Sequence, residues 1–322
     1  MKTSVKTALI IATVTLILGI VLAGVGISMA GLNVTNLVTE TYTPVTYVVS
    51  DNFTNIIVET NTHDLSFVLS EKNECKVVCD ETNKLTHTVT VQDDTLVIKT
   101  VNSKNWYDYI GIFTQNHTIT VYLPKEEYNA ITLYTDTGDM NIGEDFSFNT
   151  AKVETDTGDT SWYANVSESF SFVGHTCDIE AGNMSLLSLN IETTTGKIRV
   201  SNLTATEGIT LTADTGDVSV TDCKANERLD VKTSAGDVSL KNTTAGKLDI
   251  KTSTGNVTFN NADAENIHVK TSTGDVKGTI ASEKIFLPTT DTGKISLPRT
   301  ASGGICEITT STGDIKLAII GK

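Results

Sequence analysis

The chain has 322 residues, more than one ordinary domain needs, and enough to bury a sizeable core. With 23 Gly, only 4 Pro and abundant Thr, it is neither collagen-like nor a coiled coil nor a Pro-rich disordered chain, and β-structure is the expected currency. Its 39 acidic against 24 basic residues give a net charge of -15, which repels nucleic acid and argues against DNA or RNA as partners.

No charged residue occurs from Thr7 to Val38, and the run from Ala8 to about Met29 is long enough to cross a bilayer. Lys2 and Lys6 precede it, so the positive-inside tendency leaves the N-terminus in the cytoplasm and the body outside the cell. Ser28-Met29-Ala30 offers a rival reading as a signal-peptide cleavage site, but the apolar run exceeds the usual h-region of about 7 to 15 residues. The expected division is a cytoplasmic N-terminus and membrane anchor over 1–32, with membrane contact through 7–32, and a linker over 33–54. A β-rich cap over 55–130 and repeats over 131–322 follow. The localisation expected is the cell membrane, single-pass, with the C-terminal part extracellular.

Cys75, Cys79, Cys177, Cys223 and Cys306 are odd in number and widely spaced, so they read as no disulfide framework. The five histidines fall at no zinc-ligand spacing.

The informative feature is a recurring Thr-x-Thr-Gly-Asp-(Val/Ile). Its glycines are Gly138, Gly158, Gly196, Gly216, Gly236, Gly255, Gly274, Gly293 and Gly313, with Cys177 in the slot where one is missing, at spacings of 19 or 20 residues. Seven and five residues before the slot stand apolar columns beginning Ile131/Leu133 and Ala151/Val153. Two and four after it stand columns beginning Met140/Ile142 and Thr160/Trp162, the last a core residue. Each repeat therefore carries two short alternating strands about a glycine turn, one coil of a β-solenoid. A lone coil buries too little to offset its ordering entropy, so the coils must stack. The fold class expected is all-β: a single-stranded parallel β-helix of about ten coils of 19–20 residues, with a β-rich N-terminal cap and an N-terminal transmembrane helix. We number the coils 1 to 10 by their slots, from Gly138 to Gly313.

Glycine in the slot suggests a turn needing positive φ, which makes Cys177 an anomaly expected to bring strain or a bulge. Val58 to Phe67 is a divergent copy with His63 in the slot, and the chain from there to Ile131 reads as the cap that an end coil needs. Beyond Leu317 only Ala318-Ile319-Ile320-Gly321-Lys322 remain, so either this tail folds over the end or rods meet end to end as homo-oligomers.

The strand-rich entry, Val121-Tyr122-Leu123-Pro124 and the tandem Thr-x-Thr-Gly-Asp coils resemble a bacterial family of unknown function described as candidate adhesins with β-strand repeats, over about Asn55 to Lys316. The resemblance implies an envelope location and a β-solenoid, and brings no catalytic residues. Some members are associated with envelope-stress responses to membrane-active peptide antibiotics.

Three chemistries remain to be weighed. Asp139, Asp159 and Asp178 follow the slot, and Asp136 and Asp156 precede it by two, so near the N-terminal coils they form a candidate site for a cationic peptide or a weakly held Ca²⁺. The plain alternative is that Asp suits an exposed turn. Lys197 and Lys294, each expected between two aspartates, look like relief of carboxylate repulsion. Trp106, Tyr107 and Tyr109, with Ile110 and Phe113, are candidate contacts for a surface glycan or protein, or a plug for the solenoid end. A polysaccharide lyase or hydrolase is the enzymatic alternative. It is disfavoured because coils that vary by one residue leave no cleft-building insertion, and no basic cluster stands beside the aspartates. Asn-x-Ser/Thr matches such as Asn183 and Asn202 read as chance, and Leu297-Pro298-Arg299-Thr300 as coil residues rather than a sorting signal.

Overall fold

The structure, a computed structural model, describes residues 3–29, 41–109 and 117–320. The chain divides into two units. The first comprises Met1–Thr43, Glu81–Thr86 and Val101–Asn116, and the second Pro44–Asp80, His87–Thr100 and His117–Lys322.

The first unit contains an α-helix over Thr3–Met29. Leu9–Gly26 within it has a mean hydropathy of 2.6 and no buried share, so by length and composition it can cross a membrane, a test that a signal sequence also meets. Two of its hydroxyls suit an apolar surrounding: Thr13 and Thr15 donate back to the carbonyls of Leu9 and Ile11 at 2.8 and 2.9 Å. A short 3₁₀ helix, Trp106–Tyr109, also lies in this unit, where the Lys84 ammonium meets the Asp108 carboxylate at 2.6 Å. That contact holds the Asp108 carboxyl below its usual range.

The second unit is the solenoid. Strand follows strand in parallel register, Val153 beside Leu133 and Phe172, Ile191 beside Phe172 and Leu211. The four sequence columns point inward and are buried, apart from Gly278 and the Gly293 coil. A third inward pair, Met184/Leu186, Leu203/Ala205, Cys223/Ala225, Thr243/Ala245 and Ala262/Ala264, adds a side that the two-strand reading omitted. The turn ahead of it uses Asn183, Asn202, Asp222, Asn242 and Asn261, all at φ between 48 and 60°. Asn and Asp tolerate this left-handed conformation, and their side chains bond from coil to coil, Asn242 Nδ2 to Asp222 Oδ1 at 2.9 Å and Asn261 Nδ2 to Asn242 Oδ1 at 3.0 Å. The Asn183 and Asn202 matches are thus members of a turn column.

At the N-terminal side the His63 copy is the first full layer: Ile56 and Val58 pair with Ile131 and Leu133, Leu65 and Phe67 with Met140 and Ile142. One further layer covers it. Leu96 and Ile98 pair with Ile56 and Val58, and Thr118–Leu123 pairs with Asp64–Leu69. The antiparallel pairing of Lys76–Cys79 with Ile119–Tyr122 then ends the parallel array.

The C-terminal end departs from sequential stacking. Coil 10 lies between coils 8 and 9: Ile267 and Val269 pair with Cys306 and Ile308, which pair on their other side with Phe286 and Pro288. Val276 and Ile295 likewise both pair with Ile315. The composition of the two coils explains the order. Cys306, Ile308, Ile315, Leu317 and Ile319 of coil 10 are all buried, whereas coil 9 carries Pro288 and Pro298, which lack an N–H and cost least at the edge of a sheet. The tail therefore neither trails over the end nor forms it. Coil 9 is the outer layer, with Ile295 and Leu287 about half exposed.

Candidate functional site

The turn column is the most regular feature of the solenoid, and its chemistry begins with the glycine. A Cβ at Gly158, Gly196, Gly216, Gly255 or Gly274 would lie 1.8 to 2.2 Å from the carbonyl oxygen of the slot residue one layer back. These glycines have φ between 124 and 158°, whereas Gly236, Gly293 and Gly313 fall outside that region yet meet a neighbouring carbonyl oxygen at 2.0 Å. Close stacking of turns, more than φ, thus demands glycine.

The buried threonine three residues before the slot serves the same stack. Thr233, Thr271 and Thr310 donate from Oγ1 to the carbonyls of Gly216, Gly255 and Gly274 at 3.1, 3.3 and 3.1 Å, satisfying oxygens that the turn takes from water. Coil 3 exchanges both residues at once. Gly174 stands where the threonine should be, and the Cys177 sulfur occupies the vacated space, 2.2 Å from where a Gly174 Cβ would sit. Cys177 needs no positive φ, so the expected strain is absent.

The aspartate after the slot forms a ladder. Asp64 Oδ1 accepts the Asp139 N–H at 2.9 Å, Asp139 Oδ1 the Asp159 N–H at 2.8 Å, Asp159 Oδ1 the Asp178 N–H at 2.9 Å, and Asp178 Oδ1 the Lys197 N–H at 2.7 Å. Each carboxylate is fixed through one oxygen, and the side chains of Asp139 and Asp159 lie in exposed residues. Asn256 shows that an amide serves as well, its Oδ1 accepting the Asp275 N–H at 3.0 Å. At the other end the ladder follows the inserted coil: Asp275 Oδ1 accepts from Asp314 N at 2.9 Å, and Asp314 Oδ1 from Lys294 N at 2.8 Å. Lys294 therefore caps the column and does not stand between two aspartates as expected.

Asp136 and Asp156 lie apart from this ladder, beside a depression also lined by Glu154 and His175. Asp136 accepts from Asn61 Nδ2 at 2.7 Å, and Asp156 meets His175 Nδ1 at 2.8 Å. Arg199 reaches Asp178 at 3.3 Å, the first ion pair met along the aspartate ladder from Asp64 among the described residues. The stretch Asp64, Asp139, Asp159 is thus a rigid anionic stripe with layers about 4.8 Å apart.

Trp106 is 76% exposed. Tyr107 and Tyr109 share its 3₁₀ turn, but their side chains, like Ile110 and Phe113, lie outside the described residues. Trp162 is core, its Nε1 donating to the Ala164 carbonyl at 3.0 Å and its ring 4.6 Å from that of Phe170.

Sequence spacing did not reveal one cluster. His63 packs edge-on against His87 and His117, with centroids 4.6 and 4.4 Å apart, and shares hydrogen bonds with Thr60 Oγ1 at 3.2 Å and the Asp80 carbonyl at 3.1 Å. Its place in the glycine slot was the only available signal. Among the described residues, no group of three or more His, Cys, Asp or Glu is arranged to hold a metal ion. All five cysteines are buried and none is in a disulfide, and burial pushes the Cys75 and Cys306 thiols up to about 12 and Cys223 to about 11.

The sequence profile of the Toastrack DUF4097 family matches residues 53–240 and 206–322, which takes in the His63 layer and all ten coils. The chain belongs to this Toastrack family. Solved structures similar to this chain include two described as candidate adhesins, one from Bacteroides fragilis NCTC 9343 (15% identity, 86% of this chain and 97% of that one, TM-score 0.38) and one from Parabacteroides distasonis ATCC 8503 (12%, 86% and 98%, 0.43). A third, from Parabacteroides merdae ATCC 43184, is 11% identical over 87% of this chain and 98% of that one, with a TM-score of 0.42. No curated protein is significantly similar to the chain.

Proposed function

We propose that the chain is a non-enzymatic, membrane-anchored binding module displayed outside the cell, an adhesin-like or envelope-stress module whose anionic stripe takes cationic ligands. The observation that carries this reading is the ladder Asp64–Asp139–Asp159, in which one oxygen of each carboxylate is engaged by the next layer's backbone and the geometry is fixed before any ligand arrives. Such preorganisation lowers the ordering cost of binding. A cationic amphipathic peptide would be drawn over a Debye length by the net charge of -15 and held by contacts that weaken as salt rises. The apolar helix Thr3–Met29 supports the anchored topology.

Titration with a cationic amphipathic peptide and an uncharged analogue, at low and physiological salt, tests the reading. Saturable binding of the cationic form alone, weakening with salt, is expected; equal binding of the two peptides, or none at either salt, contradicts it. A second reading, glycan or protein adhesion through an aromatic surface, draws support from the exposure of Trp106. It predicts a ligand whose binding falls on Trp106→Ala and is indifferent to salt.

A further inference from the structure

The slot between coils 8 and 9 is unusual because the coil that follows both of them in sequence occupies it. Coil 9 precedes coil 10 in sequence, yet the Lys284–Thr292 strand pairs with Gly304–Thr312 and not with coil 8. Coil 9 therefore touches the stack through a strand that follows it. Lys284 of coil 9 reaches past the inserted layer, its Nζ 2.7 Å from Asp263 with both side chains nearly buried. Gly303 and Gly304 of the inserted layer pass close to the backbone on either side, where a Cβ would fall 1.8 and 1.6 Å from the carbonyls of Glu283 and Glu265. Coil 10 pairs with the strand edges on both sides of the slot, with Ile267, Val269 and Val276 in register with it on one side and Phe286 and Ile295 on the other.

Residues 297–303, which deliver coil 10 to the slot, carry no strand and form the longest such connection among the coils. Arg299, Ala301, Ser302 and Gly303 in it are exposed. Fully extended, seven residues span about 23 Å, enough to leave the parent molecule and reach a neighbour beside it. We infer that this slot is an exchange site for a second copy of the chain: coil 10 of one molecule occupies the slot of another and receives that molecule's coil 10 in return. Every contact within the slot is then the same as in the single chain, which is why such swaps come at low cost, and the reciprocal arrangement closes on itself as a two-fold dimer. The partner must be this chain, because the slot is matched by the register of Cys306, Ile308, Ile315 and Leu317 against Ile267, Val269, Val276 and Gly278 and by the two glycines that pass close to the Glu283 and Glu265 carbonyls.

His268 and Glu307 provide the test. They are paired across coils 8 and 10 on the outer face, with Nδ1 and Oε2 3.4 Å apart. Two full-length chains with different tags, one carrying His268→Cys and the other Glu307→Cys, are co-expressed and oxidised in detergent; the native cysteines are all buried. Exchange predicts a covalent heterodimer in several-fold excess over a mismatched pair, Lys277→Cys with Glu307→Cys, because Lys277 faces Lys316 instead. A single chain carrying both His268→Cys and Glu307→Cys reports that the site can form a disulfide at all. An intrachain disulfide there, with no heterodimer from the matched pair or no more than from the mismatched one, overturns the inference.

Discussion

Gly216→Ala is expected to destabilise the solenoid by about 3 kcal/mol or more, because the new methyl would meet the Gly196 carbonyl oxygen at 1.8 Å and the backbone there has φ 150°. The oxygen belongs to a stacked backbone that cannot retreat without breaking the Gly196 N–H bond to Thr215 and the Gly216 N–H bond to Ala235, both 2.9 Å. Gly143→Ala is the control. Nothing lies within 4 Å of the methyl it would add, and its melt should match the parent. Thermal and denaturant melts of the two variants check the contrast, and equal melting of both would show that the turn column has slack that the structure does not show.

Lys284→Ala should be comparably costly, about 3 to 5 kcal/mol, because it leaves the Asp263 carboxylate largely buried without its cation. The damage should be local. Hydrogen exchange should quicken first in Lys284–Thr292 and Gly304–Thr312, while the layers near Gly216 keep their protection. Lys284→Met combined with Asp263→Asn removes both charges, and the amide oxygen so introduced can still accept the Ala264 N–H that Asp263 now takes at 2.8 Å, so most of the stability should return. A Lys284→Ala protein whose melting and hydrogen exchange match the parent's would contradict this role of the Lys284–Asp263 pair.

The interior of the solenoid was legible because one repeat imposes one environment. Each slot glycine and the four apolar columns flanking it occupy the same place in coil after coil, so Ile191 or Val231 could be assigned inward from periodicity alone. The third inward pair was obscured by its own residues. Ala225, Thr243 and Ala264 are small or polar and make no apolar column, although the Asn and Asp residues at positive φ just before them marked the turn. Stacking order was beyond periodicity, since a period of 19 or 20 is the same whichever coil lies next. Only Pro288 and Pro298, misfits in a central layer, pointed to coil 9 as the outer one. Cys177 was visible as an anomaly, but its remedy lay three residues away in Gly174, where the space it needs is opened. The histidine cluster was illegible because His63, His87 and His117 meet only when separate strands converge.

The candidate site was legible as a column of aspartates but not as a ladder. Sequence placed Asp139, Asp159 and Asp178 in register, whereas the bonds from each carboxylate to the next layer's backbone are a property of the stacked turns. These bonds give the aspartates a structural role alongside any binding one, and the two roles can be separated. Asn256 keeps the backbone bond without charge, so Asp139→Asn with Asp159→Asn should leave the fold intact while removing two charges from the stripe.

Binding of a cationic amphipathic peptide to the Asp139→Asn/Asp159→Asn variant, measured beside its melting temperature, is the most direct test of the anionic stripe as a ligand surface. The account predicts an unchanged melt, a clear loss of affinity at low salt, and a shallower salt dependence than the parent's. Undiminished affinity and an unaltered salt dependence in a variant that melts like the parent would contradict it.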